Sequence, residues 1–221
     1  HRHTAVWTGR EMIIWGGCLD LELGGGIYSY TVLGDGAKYD PDSDAWTTMS
    51  IVGAPEAREI PAATWTGSDF FIWGGDITNS EGSEITIYDN GGRYRPSTDE
   101  WYLIPSLTPA PERRNMATAT WTGREVIVFG GTNWDTVNNV KYPRDGGRYT
   151  YTPANPADPG SWEIMPVEGQ PAGRSNHSAI WSGNAFIVWG GGPQRSLGIL
   201  SPNTNPISSP MMENPGNTIV I

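Results

Sequence analysis

Three arginines recur at one place in this 221-residue chain: Arg58, Arg114 and Arg174, spaced 56 and 60 residues apart. A guanidinium offers a planar fork of donors that matches a carboxylate, so three on one rim would hold an acidic ligand. The same groups would equally serve a repeating frame by bonding its carbonyls. Beside the first stands Glu59, where the other copies carry Asn115 and Ser175. A carboxylate without acidic counterparts is a weak catalytic candidate, although a single charge at an edge looks the same. Residues 18–35, 76–90 and 132–145 differ most among the copies. They supply Tyr28, then Asp76 and Tyr88, then Asn133, Trp134 and Tyr142. Rings stack on the apolar faces of sugars while amides and carboxylates bond hydroxyls, which makes these loops ligand-contact candidates. Solvated loops have a similar make-up.

Asp40, Asp42 and Asp44 alternate as the oxygen ligands of calcium loops do, but the Gly and distal Glu of an EF-hand are missing. The matching segments at 95–99 and 152–158 lose the alternation, so a hairpin turn is the simpler expectation. Histidines are His1, His3 and His177, and the last two share a repeat position, which favours packing over metal ligation. Cys18 is the one cysteine, so no disulfide forms within the chain. No Gly-x-Ser-x-Gly, Walker loop or zinc spacing occurs, and no cofactor is expected.

These residues are positioned by a repeat. Trp-Thr-Gly begins at Trp7, Trp65 and Trp121, and Trp-Ser-Gly at Trp181, giving intervals of 58, 56 and 60. A period of this size marks a repeat architecture. Each unit opens with a short strand ending in that Trp and turns at a Gly. An apolar strand follows: Met12–Trp15, Phe70–Trp73, Val126–Phe129 and Phe186–Trp189. Such short β-branched and aromatic runs predict buried strands. Paired glycines close each run, from Gly16-Gly17 to Gly190-Gly191, and imply close backbone approach. A third strand is read at Gly36–Tyr39, Gly91–Tyr94 and Gly146–Tyr149. After a Pro/Asp turn, a fourth starts at Trp46, Trp101 and Trp162. Four short antiparallel strands make one propeller blade.

The double Gly after an apolar strand, then Tyr, then Trp after a turn, resembles the kelch-repeat family over residues 1–192. The Trp-Thr-Gly variant is similar to kelch-type repeats of bacterial surface and secreted proteins. The resemblance implies an all-β kelch-type β-propeller of four-stranded antiparallel blades. About three and a half fit here: 1–57, 58–113, 114–173, and a first half of the fourth at 174–192. It also places Arg58, Arg114 and Arg174 in loops rimming one mouth of a central channel. Kelch-like folds include a sialic-acid mutarotase and galactose-oxidase relatives, but the Cys, paired Tyr and paired His of the copper enzymes are not reproduced.

A net charge of −10 argues against nucleic-acid and anionic-membrane partners. No apolar run approaches the ~20 residues of a membrane span. The 11 Trp and 29 Gly fit packed blades with many turns. Residues 193–221 contain five prolines, at positions 193, 202, 206, 210 and 215, and read as an irregular tail in which 218–221 could add one edge strand. Three and a half blades leave two apolar sheet faces open, so a second copy or further repeats of a longer chain are expected to cover them. The start at a repeat edge reads as a processed product or a piece of a longer polypeptide. The functional expectation is a non-enzymatic binding and assembly module, extracellular or at a bacterial cell surface, that contacts proteins or glycans and self-associates. The alternatives are a sugar-acting, mutarotase-like enzyme using Glu59 with the arginines, or a structural surface or fibre subunit.

Overall fold

The computed structural model describes residues 1–24, 27–78, 85–106, 108–136, 139–155, 157–192 and 219–220. Blade 1 contains β1 (Thr4–Trp7), β2 (Met12–Trp15), β3 (Cys18–Gly24), β4 (Ile27–Val32), β5 (Gly36–Asp40) and β6 (Ala45–Thr48). Blade 2 contains β7 (Ala62–Trp65), β8 (Phe70–Trp73), β9 (Asp76–Thr78), β10 (Ile85–Ile87), β11 (Gly91–Arg95) and β12 (Glu100–Ile104). Blade 3 contains β13 (Thr118–Trp121), β14 (Val126–Phe129), β15 (Asn133–Thr136), β16 (Asn139–Lys141), β17 (Gly146–Thr150) and β18 (Ser161–Ile164). The last sheet is β19 (Ser178–Trp181), β20 (Phe186–Trp189) and β21 (Ile219–Val220).

The first three blades are four-stranded antiparallel sheets ordered β1-β2-β5-β6, β7-β8-β11-β12 and β13-β14-β17-β18. In the last, β21 pairs with β20 through Ile187↔Val220 and Val188↔Ile219, the place a third strand takes elsewhere. The rest of 193–221 lies outside the described residues. First strands β1, β7, β13 and β19 lie beside one another, so they are innermost.

The motif has a local cause. In Trp-Thr-Gly, the Thr8 hydroxyl donates to the Glu11 carbonyl at 3.0 Å and accepts from the Glu11 N–H at 2.9 Å. Gly9 between them adopts φ 98°, which a side chain would strain. Thr66, Thr122 and Ser182 close the same turn on Asp69, Glu125 and Ala185. The paired glycines answer a different need. A Cβ on Gly16 would sit 2.6 Å from the Arg58 carbonyl oxygen of the next blade, and the Gly17 N–H donates to that oxygen at 2.9 Å.

Blades stack through three apolar seams. Ile13 and Trp15 meet Phe70, Ile72 and Trp101. Phe71 and Trp73 meet Val126, Val128 and Trp162. Ile127 and Phe129 meet Phe186 and Val188. In the first two, the fourth-strand Trp of one blade packs on the second-strand Trp of the one before: Trp101 on Trp15 at 5.6 Å and Trp162 on Trp73 at 5.2 Å between centroids. Such indole pairs bury large apolar area and add about 1 kcal/mol through ring geometry.

The variable stretches, read from sequence as loops, begin as β-hairpins: β3–β4, β9–β10 and β15–β16. Alternation of Leu19 and Leu21 about Asp20 explains the first, because side chains two apart share a face. Each hairpin leaves between the second and third strands of its blade, so all three rise from the same face of the arc.

Candidate functional site

At the base of the hairpins, the residue after each framework arginine opposes the residue after each Gly-Gly pair. The bridges are Glu59↔Asp76, Asn115↔Thr132 and Ser175↔Gly192. Backbone bonds from His1 to Cys18 continue the series into blade 1. The frame is constant there, yet every side chain differs.

Side chains link these positions from blade to blade. Glu59 is fully buried. Its carboxylate accepts from Tyr30 Oη at 2.6 Å, from the Cys18 thiol at 3.1 Å, and from Arg2 Nη1 at 3.1 Å on each oxygen. Burial pushes the Tyr30 phenol and the Cys18 thiol upward, and Glu59 adds to both. Asn115 Nδ2 donates to Asp76 Oδ2 at 2.8 Å, and Thr132 Oγ1 donates to Asn115 Oδ1. Burial pushes the Asp76 carboxyl up to about 6 against the Asn115 bond, and the nearby Glu59 charge adds to the rise. A polar belt thus runs across blades 1 to 3 beneath the hairpins. Sequence reasoning missed Arg2, Asn115 and Thr132. The available signal was variation at two positions inside an otherwise constant frame.

The arginines bond carbonyls of the blade frame. Arg58 and Arg114 are fully buried. Arg114 donates to the carbonyls of Glu112 at 2.8 Å, Gly130 at 3.2 Å and Asp145 at 3.0 Å. Arg58 bonds Glu56, Gly74 and Asn90 carbonyls in the same pattern. Burial brings the Arg58 guanidinium down to about 10, against the opposing pull of Glu56 and Tyr88. Arg174 repeats two of these bonds, to Ala172 and Gly190, and stays half-exposed. A blade corner gathers carbonyls pointing inward, and a buried fork of donors satisfies several at once.

The remaining candidates scatter. Tyr88 lies under the Arg58 guanidinium, 4.1 Å from ring centroid to Cζ. Asn133 is buried, with Nδ2 3.4 Å from Glu112 Oε2. Half-buried Trp134 donates to Thr132 Oγ1 at 3.4 Å, joining the belt. Tyr142 is half-buried at the end of its hairpin, with its backbone carbonyl against Gly173. Tyr28 lies in β4, and its side chain is outside the described residues. Glu59 belongs to the belt, but its oxygens are already occupied by four donor contacts. Asp40, Asp42 and Asp44 form the β5–β6 turn and correct the calcium-loop alternative: Asp40 Oδ1 caps the Asp42 N–H at 2.9 Å, and Asp44 Oδ1 accepts from Tyr39 at 2.8 Å. Among the described residues, no group of three or more His, Cys, Asp or Glu could hold a metal ion. His177 bonds Thr118 at 2.9 Å and packs edge-on to Phe129 at 5.7 Å.

Comparison with known proteins fits this geometry. No protein-family model matches the sequence. Human Kelch domain-containing protein 3 is 30% identical over 135 residues, covering 59% of this chain and 34% of its own length. The rat protein of that name is 26% identical over 206 residues, covering 89% of this chain and 49% of its own. The solved structure of YjhT, a kelch-type propeller, superposes with a TM-score of 0.64 at 14% identity, over 86% of this chain and 58% of that one. The chain is an arc of kelch-repeat β-propeller blades. It spans about a third to a half of the length of these curated relatives. Among the described residues, no helix is long and apolar enough to cross a membrane.

Proposed function

We propose that this kelch arc is a protein-binding module whose contact surface is the hairpin face. One observation carries the reading: three hairpins of unrelated sequence rise from the same corner of three otherwise equivalent blades. Variable segments on a rigid frame are where propellers and other scaffolds place recognition. The partner is basic. Exposed Asp20 and Asp89 add negative charge to the face in blades 1 and 2, where the exposed Glu56 carboxylate pairs with the buried Arg58. Exposed Leu19 and Leu21 add apolar contact area. The two end faces of the arc form a second surface, used for association with another copy. An extracellular or cell-surface setting accords with this reading.

Selection of a displayed random-peptide library on the full chain tests it. Basic peptides whose binding is lost in Asp20→Lys and Asp89→Lys, and retained in Arg124→Glu on the opposite face, would support the module. Peptides insensitive to both hairpin-face changes would defeat it. Glycan-array binding through Trp134, without peptide binding, would move the assignment to sugars. That second reading rests on the half-buried indole of Trp134 beside the polar belt.

A further inference from the structure

On the face opposite the hairpins, two equivalent interblade clefts differ at one position. In blade 3, Tyr151 follows β17 and inserts between blades 2 and 3. Its hydroxyl is 2.7 Å from Thr66 Oγ1. Its ring stacks on Tyr149 with centroids 5.7 Å apart and planes 24° apart, and lies 6.4 Å from the Trp121 ring. The Arg93 guanidinium sits over it at 4.1 Å. Beneath this plug, Thr66 is 6% exposed and Asp69 0%.

Blade 2 carries Pro96 at the position of Tyr151, because Gly91-Gly92-Arg93-Tyr94 aligns with Gly146-Gly147-Arg148-Tyr149. A pyrrolidine ring is too short to cross to blade 1. The result is an open cleft of about 390 Å³ bounded by Thr8, Arg10, Glu11, Trp65, Ser68 and Pro96. In sequence the neighbours of Tyr151 correspond to Thr8 for Thr66, Trp65 for Trp121, Tyr94 for Tyr149 and Lys38 for Arg93; Thr8 and Trp65 line the cleft, while Tyr94 is fully buried. Lys38 Nζ lies 5.9 Å from the Tyr94 ring centroid. Thr66 makes its turn bonds to Asp69 and still meets the Tyr151 hydroxyl. Thr8 makes the same turn bonds to Glu11 and also accepts the Arg10 N–H at 3.3 Å, a long bond that its half-exposed oxygen can exchange for one from a phenol. Thr8 and Glu11 are half-exposed, so solvent and ligands reach the cleft.

We propose that the cleft between blades 1 and 2 is a binding site for a phenolic ring, which takes there the interblade place that Tyr151 fills between blades 2 and 3. The ring comes from a tyrosine side chain of a partner protein or from a free aromatic compound. The ring packs against Trp65 and Pro96, and its hydroxyl bonds Thr8. The site is separate from the hairpin face, and neither assignment depends on the other.

NMR titration of the full chain with N-acetyltyrosinamide and p-cresol tests the site, read at the Trp65 indole N–H assigned through Trp65→Phe. Saturable shifts are expected, with N-acetylphenylalaninamide and the Thr8→Val variant each weaker by about fivefold, the value of one hydrogen bond. Preference for the amide over p-cresol would identify a partner's side chain, and equal binding a free ring. Pro96→Tyr fills the cleft and should abolish the shifts. Absence of saturable shifts at Trp65, or binding unaffected by Pro96→Tyr, would overturn the proposal. A converse variant, Tyr151→Ala, opens the second cleft, and p-cresol should then raise its Tm. Failure of that rescue would show that the Tyr151 pose is not one a free ring can take.

Discussion

Blades 2 and 3 bury all four residues of their second strands, whereas blades 1 and 4 bury every other one. Phe70–Trp73 and Val126–Phe129 are closed on both faces. In Met12–Trp15 only Ile13 and Trp15 are buried, and in Phe186–Trp189 only Phe186 and Val188. The buried pair in each end strand faces inward along the arc; the other pair faces away from it. Side chains of a strand alternate between faces, so a neighbour on one side closes half the positions. The tryptophans report the same asymmetry. Trp101 and Trp162 are 7% and 5% exposed on their indole partners, while Trp46 at one end and Trp189 at the other are 53% and 55% exposed. The four strands have nearly the same composition, so neighbours and not residue type decide burial.

The strongest test of this contrast is Trp73→Ala, which should cost about 3–5 kcal/mol in urea unfolding, since it empties an indole site closed on all sides. A cost below 1 kcal/mol would mean the seam between blades 2 and 3 is not packed as described. The arginines offer the next comparison. Arg114→Met removes the donor from three carbonyls around a buried side chain and should cost about 3 kcal/mol, against about 1 kcal/mol for the half-exposed Arg174→Met. Equal costs would place the same number of acceptors around both.

Two titrating groups should produce opposite changes of stability with pH, about 3 kcal/mol each. The Asp76 carboxyl, raised to about 6, holds its proton in the folded chain where the unfolded chain has released it. Its contribution is therefore most favourable in acid and is lost as pH rises from about 4 through 6. Asp76→Asn should gain stability above pH 6 and none below 4, measured by unfolding across pH. His177 is lowered to about 4 by burial, with Arg174 adding. Its neutral form is the one packed in the seam, so stability is lost as pH falls from about 6.5 through 4. His177→Gln should flatten that limb; an unchanged acid slope would assign it to other groups. The smallest effect belongs to Trp189→Ala, expected to change stability by under about 0.5 kcal/mol in dilute protein. A cost close to that of Trp73→Ala would show that the end face is covered in solution.

Much of the fold was legible because a repeat states its rules several times. The strand order, the Thr turn, the Gly-Gly approach and the fourth-strand Trp each appear with fixed spacing, and each has a local cause in hydrogen bonding or sterics. The polar belt was harder to read. Cys18, Tyr30 and Glu59 are 12 and 29 residues apart along the chain and meet only because successive blades bring Gly-Gly ends against arginine starts. The arginines were ambiguous for a related reason: a guanidinium suits a ligand carboxylate and a ring of carbonyls equally well.

The repeated spacing specified the blade: its strands and turns through interactions within one repeat, and the Gly-Gly and Trp positions that meet the next blade. Only the tertiary structure decided what the differences between repeats mean. It made the variable stretches into hairpins on one face, turned Glu59 into a buried acceptor of four donor contacts, and left a cleft where Pro96 stands in place of a tyrosine. Those outcomes depend on which side chains two blades bring into contact, a distance that no spacing along one repeat encodes.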